Sequence, residues 1–373
     1  MNETINPVVI AVGDNQTPIW GMSNAERIRR IAVEHGLVHG SGDGPRLLVA
    51  AGYAFDPPLL RHLARRPGSV VVVDGRPALA HVPHPGTCAI VAEAMAAQAR
   101  LPEGLDLEII DHAPGFTLYN DELRKREQPF LIRLAPENVR AIERASYYAA
   151  YKGVTDLLTK YLWPEWALAL TRIAARSGIT PNMVTAVGAA FCLLAAWLFW
   201  HGLYWQGMAA GLAFMVLDTV DGKLARCTIT SSKWGEFFDH GIDLVHPPFW
   251  WWAWGVGLSA WGLALSDELF AVVLAAIVGG YVLQRLIEGA FIKRFGMHIH
   301  VWEKADSDFR LITARRNPNM VILFVATLFQ RPDIGLIAVA GWTLLSLLFH
   351  FVRLLQAEAR RRVGLTVVSW LSA

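Results

Sequence analysis

From residue 183 onward the sequence runs through six apolar stretches, at 183–203, 206–226, 234–258, 268–292, 317–330 and 333–355. A helix that crosses a bilayer needs about 20 mostly apolar residues, so five stretches are long enough and the one at 317–330 is short. Hydrocarbon offers no water to backbone N–H and C=O groups, and helices satisfy both internally. An all-α bundle of six transmembrane helices is therefore expected here. Loop charges orient it. With the N-terminus inside, the outer loops 201–205, 259–268 and 329–333 hold Arg331 as their only Lys or Arg. The inner segments hold Arg172, Arg176, Lys223, Arg226, Lys233, Lys293, Arg294, Lys304, Arg310, Arg315, Arg316 and Arg360 to Arg362. This positive-inside asymmetry predicts a multi-pass protein of the cell (inner) membrane with both termini cytoplasmic.

The remainder of the chain reads differently. Of all residues 54% are hydrophobic and 18% charged, too apolar for a soluble protein and too charged for one that is all membrane. Short β-branched runs at Val8–Val12, 47–50 and 70–74 alternate with helix-like segments at Asn24–Glu34, 58–65 and 89–99. Strands alternating with helices imply βαβ units and a largely parallel sheet. The fold expected is thus multi-domain: a soluble α/β domain (1–140) followed by an all-α six-helix transmembrane bundle (183–360) and a cytoplasmic tail (361–373). Between them, residues 141–182 alternate basic and apolar positions around Trp163-Pro164-Glu165-Trp166 and read as amphipathic linker helices lying on the membrane surface. No basic segment followed by an apolar run opens the chain, so no signal peptide is expected. Cys88, Cys192 and Cys227 have neither zinc-site nor disulfide-framework spacing. A net charge of +2 gives no reason to expect a nucleic-acid partner.

The chemistry concentrates in 217–245, LDTVDGKLARCTITSSKWGEFFDHGIDLV. A carboxylate in a membrane helix costs roughly 2.5–3.5 kcal/mol even on lenient scales, and four demand a reason. Asp218, Asp221, Gly222 and Ala225 share one helical face; Gly235, Asp239 and Asp243 share a face of the next helix. Helices joined by a short loop are usually antiparallel neighbours, so the two acidic faces are expected to converge. Converging carboxylates need a cation, and hard oxygen donors suit Mg²⁺, Mn²⁺ or Ca²⁺. The small residues leave room beside them, and the planar fork of Arg226 suits a phosphate.

These residues, in the pattern D-x2-D-G-x2-A-R-x8-G-x3-D-x3-D, resemble the signature of the CDP-alcohol phosphotransferases at all eight fixed positions. Gly178-Ile179-Thr180-Pro181-Asn182 is similar to the segment preceding that family's first span. The resemblance covers roughly residues 150–360. It implies Mg²⁺ or Mn²⁺ held by Asp218, Asp221, Asp239 and Asp243, and Asp243 as catalytic base. It further implies a CDP-alcohol pocket of Gly222, Ala225, Arg226 and Gly235, with Thr180 and Asn182 as additions, and a homodimer. The reaction implied is transfer of a phospho-alcohol group to an acceptor alcohol with release of CMP, in phospholipid or related polar-lipid biosynthesis. Arg310, Arg315 and Arg316 are candidates for an acceptor phosphate, beside a simple anchoring role. His240 and His246 flank the acidic face, and His298 and His300 lack an evident third ligand. The α/β part resembles a nucleotidyltransferase that has lost its basic, glycine-rich phosphate loop: Gly13-Asp14-Asn15-Gln16-Thr17-Pro18 follows the first strand. Asp74 stands where such folds often place a metal ligand. The competing readings are a cation-coupled transporter and a catalytically dead membrane scaffold.

Overall fold

The computed structural model describes residues 7–40, 45–113 and 115–372; the side chains of Glu236, Asp239 and His240 lie outside what is described. The N-terminal part holds β1 (Val8–Val12), α1 (Asn24–Glu34), β2 (Val38–His39), β3 (Arg46–Ala50), β4 (Tyr53–Phe55), α2 (Pro57–Ala64), β5 (Ser69–Val73), β6 (Arg76–Val82), α3 (Pro85–Ala96), β7 (Glu108–Asp111), β8 (Leu118–Asn120), β9 (Lys125–Glu127) and β10 (Leu131–Arg133). Six strands form one sheet in the order β2-β1-β3-β6-β5-β7. Only β6 is antiparallel to its neighbours, so the sheet is largely parallel, as the alternation predicted. The reversal comes from the Asp74-Gly75 turn, whose φ angles of 51° and 76° are those of a tight hairpin. Asp74 therefore serves as a turn residue at the sheet's rim.

The helical part follows: α4 (Val139–Ala149), α5 (Leu157–Tyr161), α6 (Pro164–Arg176), α7 (Pro181–Trp200), α8 (Tyr204–Thr228), α9 (Lys233–Gly257), α10 (Asp267–Phe295), α11 (Lys304–Arg310), α12 (Arg316–Leu328) and α13 (Pro332–Arg362). The six apolar stretches correspond to α7, α8, α9, α10, α12 and α13. Three of these, α7, α10 and α13, are long and apolar enough to cross a membrane. Helix α12, at 13 residues, spans only about 20 Å at 1.5 Å per residue. Helices α8 and α9 are diluted by the acidic motif and its Lys and Arg neighbours. Helix α13 runs through Arg362, into the segment expected to be tail.

Helix α6 buries Ala167, Leu168, Thr171 and Ala174 while Trp166, Leu170 and Ile173 stay exposed on its other side. It is tied to α4 by Arg172 and Arg176, which both reach the buried carboxylate of Glu143. The two parts of the chain also interlock. Arg30 of α1 donates to Thr228 O at the end of α8 (2.9 Å), and Ile229, in the left-handed region at φ 52°, joins the core of the α/β part.

Candidate active site

Helix α8 ends at the left-handed Ile229, and α9 starts four residues later under a Ser232 cap whose hydroxyl accepts from Gly235 N at 3.0 Å. The two helices are antiparallel neighbours, as the short loop suggested: Tyr204 of α8 stacks on Trp254 of α9 at 4.1 Å and donates through its hydroxyl to Trp254 O (2.7 Å), and Phe214 of α8 meets His246 and Trp250 of α9 edge-on. Helix α7 packs closely on both, whereas α8 and α9 meet through large side chains such as Phe214 and Trp250. The cleft left between them is the mouth of a cavity of about 720 Å³. Its walls carry Asp218, Asp221, Gly222, Ala225 and Arg226 from α8, Gly235 and Asp243 from α9, and Asn182 from α7.

Arg316, the first residue of α12, joins the acidic faces. Its Nη2 donates to Asp218 Oδ2 (2.8 Å) and its Nη1 to Asp243 Oδ1 (2.6 Å), while the guanidinium lies over Phe214 at 4.8 Å. Two carboxylates on different helices thus already share one cation, which is the arrangement a divalent ion between them needs. Asp221 accepts from Thr185 Oγ1 of α7 (2.7 Å) and from Gly222 N (2.5 Å), which fixes its buried carboxylate at the cavity wall. Among the described residues no three His, Cys, Asp or Glu side chains gather closely enough to form a metal cage on their own. The fourth expected ligand, Asp239, lies outside the described side chains.

The small residues leave the space the sequence suggested. A Cβ on Gly222 would come within 2.9 Å of Arg226 Nη2, so the missing side chain lets Arg226 lie along the helix into the cavity. A Cβ on Gly235 would meet Asn182 Oδ1 at 3.0 Å. Asn182 therefore belongs to the wall. Thr180 caps α7 by accepting from Met183 N and is not among the lining residues. His246 is buried against Phe214 and Trp250 and donates through Nδ1 to Ile242 O (2.7 Å), a packed and hydrogen-bonded role. Helix α9 contains Pro247 and Pro248 one turn beyond Asp243. Proline removes a helix donor; the carbonyl of Leu244, four residues before Pro248, accepts instead from Tyr281 OH (3.1 Å).

Beyond the aspartates the cavity turns basic. Arg310 and Arg315 line it, joined by Arg124 and Arg285, which sequence reasoning missed. Arg315 Nη2 bonds Glu288 Oε1 (2.5 Å) and Arg285 Nη1 lies 3.2 Å from Glu288 Oε2, so one carboxylate faces this whole group. Arg310 is buried, and its Nε and Nη1 have no hydrogen-bond partner among the described residues. Burial, then the Arg315 charge, press its pKa well down. Asp156 lies nearby. Burial works against its ionised form, but the Arg310 charge and bonds from Thr159 N, Asn317 Nδ2 and Thr159 Oγ1 outweigh it and hold its pKa low. The signal for Arg124 was absent because it comes from the α/β part, more than 90 residues before the motif.

The model of the CDP-alcohol phosphatidyltransferase family matches residues 178–352. Archaetidylinositol phosphate synthase of Pyrococcus horikoshii is 30% identical over 195 residues, covering 51% of this chain and 89% of that protein. Cholinephosphotransferase 1 of Gallus gallus is 32% identical over 129 residues, 31% of this chain and 36% of that one. Phosphatidylinositol phosphate synthase of Streptomyces avermitilis is 34% identical over 93 residues, 24% and 38%. A cleft walled by Asp218, Asp221 and Asp243, found in a chain that matches nearly the whole of one such synthase, makes this protein a member of the CDP-alcohol phosphatidyltransferase family, enzymes that move a phospho-alcohol group from a CDP-alcohol to an acceptor alcohol.

Proposed function

We propose that the acceptor is a phosphorylated polyol, and that the reaction builds a lipid whose headgroup keeps that phosphate. The observation that carries this is the unpartnered, buried Arg310 in a cluster with Arg315 and Arg285, in the same cavity as the aspartates. A plain alcohol acceptor gives such a cluster nothing to neutralise, whereas a phosphate takes several charge-assisted bonds at once. Two of the relatives are named as synthases of phosphorylated inositol lipids.

The family uses a divalent metal. The described residues fit one in part: Asp218 and Asp243 converge on a single cation and Asp221 lines the same cavity, while Asp239 is a further ligand that the family resemblance implies. When bound, Mg²⁺ or Mn²⁺ would offset charge on the pyrophosphate and on the departing CMP. The chain's own residues do the rest. Gly222, Ala225, Gly235 and Asn182 shape the CMP pocket, and Arg226 takes its phosphate. Asp243 accepts the proton of the acceptor hydroxyl. That oxygen attacks the phosphorus bearing the donor alcohol, the bond from this phosphorus to the CMP oxygen breaks, and CMP leaves with the bonding pair.

In this reading α7, α8, α9, α10, α12 and α13 all span the membrane, with both termini cytoplasmic and α6 along the inner surface. The 183–360 unit is the catalytic domain, and dimerisation follows from the family resemblance. The α/β part is a nucleotidyltransferase relative without activity of its own. In the loop after β1, Asn15 is committed to Leu134 O and Thr17 N, and no Lys or Arg is present to hold a triphosphate. The test is CMP release by purified protein across a matrix of CDP-alcohols and acceptors, with Mg²⁺ or Mn²⁺ and with EDTA. Release with phosphorylated polyols, abolished by EDTA and by Asp243→Asn, is expected. Release with plain alcohols only would refute the acceptor assignment. Cation transport without CMP release would restore the transporter reading.

A further inference from the structure

The α/β part reaches into the active cavity. The β8–β9 hairpin places Glu122, Leu123 and Arg124 on the cavity wall. Its turn closes through Arg124 N to Asp121 O (3.1 Å), with Arg124 in the left-handed region at φ 52°, an uncommon conformation for a residue with a side chain. The hairpin is fixed to the segment that leads into the membrane part. Gly153 N donates to Leu123 O (2.8 Å), and Lys125 Nζ donates to Ala149 O (2.5 Å) and Tyr148 O (3.3 Å). The approach at Gly153 is so close that a Cβ there would lie 2.6 Å from both Arg124 O and Lys125 Cβ. Only glycine permits it.

The guanidinium held in this way makes no hydrogen bond or salt bridge among the described residues. Burial, then the neighbouring Arg315 charge, push its pKa down to about 10, which still leaves it cationic at neutral pH. Arg124 and Arg310 both feel Glu288, the carboxylate already bonded to Arg315. Four arginines thus face one glutamate, and among the described residues neither Arg124 nor Arg310 has a hydrogen-bonded partner of its own. Cations gathered around a single carboxylate favour a further anion in the space between them, and a phosphate can take several charge-assisted bonds there at once.

We infer that Arg124, delivered by the α/β part, is a specificity-determining residue of the acceptor site and binds the phosphate of a phosphorylated acceptor. The inference rests on the phosphorylated-acceptor reading above. It gives the α/β part a direct role in substrate selection: the acceptor pocket is completed by a hairpin outside the 178–352 family match.

The test uses full-length protein in detergent, with CMP release as readout and inositol phosphate as acceptor. Arg124→Ala is expected to raise the acceptor KM about tenfold, with kcat and the CDP-alcohol KM changed less than twofold. Arg124→Lys should recover part of the loss, a rescue that a structural role would not produce. Inorganic phosphate should inhibit the wild-type enzyme competitively with acceptor, and Arg124→Ala should raise its inhibition constant. Gly153→Ala, which drives the hairpin outward, should raise the acceptor KM in the same way. If Arg124→Ala does not fold, Arg124→Gln keeps the stem and is read identically. An unchanged acceptor KM in a folded variant, while the wild type uses the phosphorylated acceptor, overturns this inference alone. A wild-type enzyme that takes only unphosphorylated alcohols overturns it together with the reading it rests on.

Discussion

Replacing Arg316 by alanine tests the cleft most directly, because this one side chain ties α8, α9 and α12 together. Its two charge-assisted bonds, 2.8 Å to Asp218 and 2.6 Å to Asp243, join side chains of unequal exposure. Arg316 is 12% exposed and Asp218 17%, whereas Asp243 is 44% exposed. Removing one partner of a buried pair costs about 3–5 kcal/mol; an exposed pair contributes about 0–1 kcal/mol. The Asp218 half belongs near the first figure and the screened Asp243 half near the second. A loss of about 3 kcal/mol in EDTA is therefore expected for Arg316→Ala. A divalent ion that takes the place between the same carboxylates should restore most of it, since the variant has lost the internal cation that competes for them. The assay is thermal unfolding of the detergent-purified protein with EDTA and across a Mn²⁺ titration. The variant should melt lower than wild type in EDTA, gain more from Mn²⁺, and reach half-saturation at a lower concentration. Equal melting in EDTA, or the same Mn²⁺ response in both proteins, would refute the claim that Arg316 and the metal share one site.

Other outcomes follow from the same geometry. Gly222→Ala displaces only the flexible end of Arg226, so the CDP-alcohol KM should rise several-fold with the melting temperature nearly unchanged. Gly257→Ala would put a Cβ 2.0 Å from Phe199 O and 2.8 Å from Gly202 N, both backbone atoms; overpacking of this kind costs about 1–3 kcal/mol, seen as lower thermal stability with unaltered KM in whatever fraction folds. Burial raises the pKa of Asp56 to about 7, against the pull of the Lys125 charge. A carboxyl with a raised folded pKa stabilises below its ordinary range, and that stability is lost as pH climbs through about 7. The α/β part should accordingly lose stability between pH 4 and about 7, and Asp56→Asn should flatten the dependence in a chemical-denaturation series. Asp218→Ala should weaken Mn²⁺ binding as well as turnover; undiminished affinity would remove it from the ligand set.

Much of this was legible in the sequence because the signals are local and periodic. Three- and four-residue spacing put Asp218, Asp221, Gly222 and Ala225 on one face, and the structure lines one cavity wall with them. The apolar stretches gave the helices to within a few residues except at the end of α13, where charged residues continue a helix that hydropathy alone would stop. What could not be read was which distant pieces meet. Arg316 looked like one of three equivalent inner-side cations, yet it bonds the motif's own aspartates. Arg124 carries no local mark at all: its place depends on a glycine contact at Gly153 and on a hairpin in a different part of the chain.

The proline pair in α9 has a mechanical consequence. A helix that lacks two successive amide donors, at Pro247 and Pro248, has fewer rungs resisting a bend at that level. The α8 wall, with no proline, is stiff by comparison. Shape changes on loading and emptying the cleft will therefore be taken up on the Asp243 side, with Tyr281 as the pivot that keeps hold of the loosened carbonyl of Leu244.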